Sequence, residues 1–80
     1  MDEQQIELLK KQVSYFFKTN SVVHISFKKG YWKRGIITEV SSDFFMLDER
    51  LEGEMPIFFL EIKDITQYNP KNWFKGDYIK

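Results

Sequence analysis

Between Val22 and Ile65, five strand-like runs follow one another with only turns and one short loop between them. Val22-Val-His-Ile-Ser-Phe27 alternates apolar and polar residues, the period of a half-buried strand. Lys28-Lys29-Gly30 is a turn signal, and Trp32 to Val40 is a second β-rich run. Gly35 interrupts that run, which predicts a bend or a bulge there. Ser41-Ser42-Asp43 marks the next turn. Phe44 to Leu47, Pro56 to Leu60 and Ile62 to Ile65 supply the third, fourth and fifth strands, and Asp48 to Glu54 reads as a hairpin loop around Gly53. Many short strands in so brief a span point to a sheet curled into a small barrel.

A different period governs residues 2–18. Ile6, Leu9, Val13 and Phe16/Phe17 recur three and four apart, which predicts an amphipathic helix. Asp2 is placed to cap it, with Gln5 in the capping-box position, and Thr19-Asn20-Ser21 ends it. The apolar face of such a helix is expected to plug one open end of the barrel. The two periods together nominate Ile6, Leu9, Val13, Val23, Ile25, Phe27, Ile37, Phe45, Leu47 and Ile62 as core. The expected architecture is mainly β: one domain over residues 1–80, with a helix at 2–18, a barrel at 22–68 and an aromatic tail at 69–80. That tail, with Trp73, Phe74 and Tyr78, is expected either to fold back on the barrel or to dock on a protein partner.

Composition narrows the function. The chain has no cysteine and one histidine, His24, so neither a thiolate site nor a zinc site is expected. No nucleophile stands beside a base and no glycine-rich phosphate loop is present, so the reading is of a non-enzyme without a cofactor. The acids around Arg50 lack calcium-loop spacing and read as a solvated loop. Eight Phe, four Tyr and two Trp in eighty residues exceed what one small core needs, which predicts a homo-oligomer. No run approaches the ~20 apolar residues of a membrane span. The acidic start, Met1-Asp2-Glu3, is unlike a secretory signal, so a cytoplasmic protein is expected.

The net charge is zero but polarised: residues 1–34 hold seven bases against three acids, and residues 35–64 hold two against eight. The bases culminate in Lys28-Lys29-Gly30-Tyr31-Trp32-Lys33-Arg34, four cations around two aromatics. Cations meet phosphates and aromatic faces stack on bases, so Lys28, Lys29, Tyr31, Trp32, Lys33 and Arg34 form the candidate site for single-stranded nucleic acid. Strand alternation puts Trp32 and Arg34 on one face and Tyr31 and Lys33 on the other. On that reasoning at most one of the two aromatics reaches solvent.

This order of elements resembles the Sm-like superfamily, which includes the bacterial Hfq proteins. Val23 to Gly30 looks like the first Sm strand and its turn, Gly35-Ile-Ile-Thr-Glu-Val40 like the second, and Pro56 to Ile65 like the second Sm block. The chain is also similar to small prokaryotic or viral Sm-like proteins that pair a Gly-x-Ile strand with a Phe-Phe-x-Glu-Ile run. The resemblance implies an N-terminal helix and a strongly bent five-stranded, SH3-like barrel. It further implies RNA as a ligand and a ring of copies joined by strand pairing. Where Sm proteins carry the Asp and Asn that hold a base, this chain has Ser41 and Phe45. Phe58-Phe59-Leu60 stands in place of the Tyr-Lys-His of Hfq. The alternative is a protein-interaction adaptor built on the same barrel.

Overall fold

A computed structural model describes residues 3–68 of the chain. Helix α1 spans Glu3–Thr19, and five strands follow: β1 Val22–Phe27, β2 Trp32–Val40, β3 Phe44–Glu49, β4 Gly53–Phe58 and β5 Ile62–Gln67. A 3-10 turn, Phe59–Glu61, joins β4 to β5. The strands form one antiparallel sheet in the order β4-β3-β2-β1-β5, so β4 and β5 are its two edges. The proposed Asp2 cap and the aromatic tail lie outside the described residues. No helix among the described residues is long and apolar enough to cross a membrane.

The periods explain the packing. Along β1 every second residue is buried, and Val23, Ile25 and Phe27 meet Phe45 and Leu47 of β3, Ile57 of β4 and Ile62 and Ile65 of β5 in one core. Helix α1 contributes Leu9 and Val13, and Phe16 packs against the same cluster. Nine of the ten nominated core residues are buried; Ile6, on the first turns of α1, is half-buried. The helix ends where Asn20 turns left-handed, with φ of 57°, and Ser21 N–H donates to the Phe16 carbonyl.

Three features differ from the sequence reading. β3 runs on to Glu49 and β4 begins at Gly53, so the expected loop from Asp48 to Glu54 shrinks to a tight turn. Two of its acids face solvent from within the strands: Asp48 and Glu54 sit opposite each other in register and are exposed, while Glu49 accepts from the Leu51 and Glu52 N–H groups of the turn. In the same way β4 ends at Phe58, and Phe59 and Leu60 belong to the 3-10 turn. The third concerns Gly35. The irregularity of β2 falls between Ile37 and Glu39, whereas Gly35 is a point of close approach. A Cβ there would collide with the Asp48 carbonyl oxygen and lie 2.9 Å from its carbon.

Candidate nucleic-acid interface

The β1–β2 turn is built by two backbone bonds. Phe27 N–H donates to the Tyr31 carbonyl and Gly30 N–H to the Phe27 carbonyl, both at 2.9 Å. Gly30 sits at φ of 102°, a conformation side chains disfavour. Lys28 and Lys29 occupy the exposed tip, and Lys28 N–H is tied to the Glu61 carbonyl at 3.0 Å. The turn therefore leans on the 3-10 segment. Phe27, Lys28, Lys29, Tyr31, Leu60 and Glu61 enclose a hollow of about 160 Å³ between them.

The structure gathers four of the six candidate residues into two clusters, with Lys28 and Lys29 at the tip beside them. In the first, Tyr31 stacks flat on Phe27, with ring centroids 4.4 Å apart and planes 12° from parallel. Lys33 Nζ stands 5.8 Å from the Tyr31 ring centroid and pairs with Glu52 at 3.3 Å. In the second, the Arg34 guanidinium lies 4.4 Å from the Trp32 ring and 4.1 Å from the Tyr68 ring. Arg34 Nε–H donates to His24 Nδ1 at 3.4 Å, and the His24 ring stacks on Trp32 at 5.1 Å. Register explains the grouping: His24 of β1 lies opposite both Arg34 of β2 and Thr66 of β5, and Trp32 lies opposite Ser26.

Both aromatics reach solvent, Tyr31 at 45% exposure and Trp32 at 54%. The expectation of a single exposed ring is thereby corrected. Alternation holds only inside a strand, and Tyr31 precedes the start of β2 in the turn. It covers the end of the core residue Phe27 and keeps its outer surface free of the barrel interior. Trp32 opens the strand on its outward face and is covered only in part by His24 and Arg34. Neither ring packs into the core.

Two members of the second cluster lie outside the six. His24 lies in an alternating strand and carries no signal of its own for the site; its local partner is Arg34. Tyr68 carries no local signal, since it reaches Arg34 only because β5 pairs with β1; its N–H donates to the Val22 carbonyl at 2.8 Å, at the end of β1 away from the turn. Burial, then the nearby Arg34 charge, lower the pKa of His24 below its ordinary value, while Asp64 pulls the other way. A neutral imidazole suits this geometry, because Nδ1 must present a lone pair to Arg34. Among the described residues no three His, Asp or Glu side chains come together to hold a metal.

No protein-family model matches the sequence, and no curated protein does. Among solved structures, the chain matches a 1.55 Å crystal structure of the pleiotropic translational regulator Hfq. The TM-score is 0.66 with 20% identity, over 74% of this chain and 97% of that one. The chain has the Sm-like fold.

Ser41 and Phe45, which the resemblance sets against the base-holding pair of Sm proteins, have structural roles here. Phe45 is fully buried in the core, and Ser41 N–H closes the β2–β3 turn on the Phe44 carbonyl at 2.8 Å. Phe59 is buried as well, beside Phe45, whereas Phe58 and Leu60 face solvent at 44% and 60%. Phe45 and Phe59 are thus core aromatics, and the cation–aromatic contacts stand instead on the β1–β2 turn and the first residues of β2.

Proposed function

We propose that this chain is a non-catalytic Sm-like protein of the cytoplasm that binds single-stranded RNA through the β1–β2 turn. Copies associate through their open sheet edges. One observation carries the reading: two aromatic rings, both exposed, stand at the β1–β2 turn and the first residue of β2 among four cations. That combination offers stacking faces and phosphate partners together, the general recipe for unpaired nucleic acid. The likeness to a translational regulator is consistent with an RNA ligand. The polarised charge fits too, since the acidic half of the chain leaves the basic turn as the favourable place for a phosphate chain.

The test is a salt titration against U-rich and A-rich single strands, with the parent and with Lys28, Lys29, Lys33 and Arg34 all changed to Gln. Each lost phosphate contact lowers the slope of log K against log salt by about 0.7. The variant is expected to bind weakly with a flattened slope. Equal binding by parent and folded variant, or no binding by the parent at low salt, refutes the reading.

A second reading, a protein-binding adaptor, is favoured by one feature. An open groove of about 700 Å³ runs between the first turns of α1 and the end of β4, with Ile6, Phe58, Phe59 and Leu60 along it. Its apolar side chains alternate with Glu3, Glu7, Lys10 and Asp43, a mixture that suits a peptide better than a phosphate chain.

A further inference from the structure

The register shows which backbone groups face each open edge of the sheet. Phe59 N–H donates to the Asp43 carbonyl, and β3–β4 partners continue as Phe44 with Phe58 through Glu49 with Gly53. In an antiparallel pair, bonded and non-bonded positions alternate. Met55 and Ile57 therefore turn their N–H and C=O groups towards β3, while Glu54, Pro56 and Phe58 turn theirs outward. The middle of those three outward positions is a proline, which has no N–H to donate. A strand laid along β4 finds a carbonyl at Pro56 and no donor there.

The other edge shows a corresponding gap. Tyr68 N–H donates to the Val22 carbonyl, so Thr66 and Asp64 face β1 while Ile65 and Gln67 face outward. The outward N–H of Ile65 is already taken: it donates to Asp64 Oδ1 of its own chain at 2.9 Å. Both edges that another copy would use thus lack a donor near their centres, one by covalent structure and one by a side-chain cap. Proline and inward-turned charge are among the devices by which proteins blunt exposed sheet edges.

We propose that Pro56 and Asp64 are edge guards, which hold strand-to-strand association between copies of this chain to a weak, reversible contact. The proposal rests on the reading that copies meet edge to edge. Both residues are exposed and neither belongs to the core, so each can be replaced without opening a cavity. Pro56→Thr restores the missing donor on β4. Asp64→Ala frees the Ile65 N–H, whereas Asp64→Asn keeps an oxygen that accepts it and removes only the charge.

Sedimentation velocity over a wide concentration series reads the association midpoint, with thermal melts confirming that each variant is folded. Pro56→Thr and Asp64→Ala are expected to tighten association, by roughly tenfold or more for the pair at about one net hydrogen bond each. Asp64→Asn is expected to follow the parent. Amide exchange gives a reading independent of assembly: Ile65 exchanges more slowly than Gln67 in the parent, and Asp64→Ala removes that difference. A monomeric parent with an assembling double variant upholds the guards and removes the edge-to-edge ring. An assembling parent that the double variant leaves unstrengthened upholds the ring and overturns the guards. A double variant as monomeric as the parent overturns both.

Discussion

Gly35→Ala isolates a purely steric demand of this sheet. A Cβ at that position meets three backbone atoms of β3: the Asp48 carbonyl oxygen, its carbon at 2.9 Å and Glu49 Cα at 3.1 Å. No flexible side chain is available to yield, so β2 and β3 must part locally. The parting strains the pair by about 1–3 kcal/mol, as overpacking does. It also loosens one or two ladder bonds, worth about 1 kcal/mol each. Against this, replacing glycine removes unfolded-chain freedom, a gain of about 0.4–1 kcal/mol that is too small to compensate. A net loss of about 3 kcal/mol follows, a large share of the ~4–12 kcal/mol that a domain of this length possesses. For a domain of this size it lowers the melting temperature by about 12–24 °C. Gly30→Ala is the matched comparison. Nothing lies within 4 Å of its Cβ and only its φ of 102° is unfavourable. Its expected cost is the smaller one of a strained backbone, about 1–2 kcal/mol. Thermal melts followed by circular dichroism decide the matter. A Gly35→Ala protein that melts with the parent, or above Gly30→Ala, would show that β2 and β3 separate without cost and refute the reasoning.

Trp32→Ala removes a ring that is about half exposed, so roughly 100 Å² of burial is lost, or about 2–3 kcal/mol of stability. The protein stays folded at 25 °C, and its affinity for single-stranded RNA falls by the ~1–3 kcal/mol of one stacked base; unchanged affinity in the folded variant argues against stacking. Leu9→Ala, which unseats α1 from the core, is expected to cost about 2–5 kcal/mol in denaturant unfolding. His24 binds its proton less readily in the folded chain than in the unfolded one. Its contribution to stability is therefore complete above its ordinary pKa near 6.5 and lost as pH falls through the lowered value. His24→Gln should flatten the mildly acidic limb of a stability–pH curve, and an identical limb in both proteins counts against the assignment.

What the sequence made legible follows from how local each signal is. The alternation in Val22–Phe27 and the 3.6 period of Ile6, Leu9 and Val13 are carried by neighbours along the chain, and both elements appear as expected. The limits of β3 and β4 were harder, because Asp48, Glu49 and Glu54 look like loop residues until their solvent-facing position in a strand is known. The run Pro56 to Leu60 misleads in the opposite sense: Phe58 and Leu60 are apolar yet exposed, and the strand stops before Phe59. Lys28, Lys29, Tyr31, Trp32, Lys33 and Arg34 were readable as a run of cations and aromatics. That His24 and Tyr68 join Trp32 and Arg34 was not, since Tyr68 arrives through a strand pairing that no short-range pattern announces.

That pairing also sets the order in which the molecule can be completed. β5 lies beside β1, the first strand made, and contributes Ile62 and Ile65 to the same core. During synthesis the chain therefore emerges with β1 to β4 able to form three hairpin-linked pairs while one side of β1 remains bare. That side closes only when residues 62–67 have left the ribosome. Pairing two strands so far apart along the chain is slower than forming a hairpin, because the closure entropy is lost before the contacts repay it. Until then the nascent chain exposes an unpaired strand and the apolar core beneath it, the state most exposed to chaperones and to mispairing with another nascent copy.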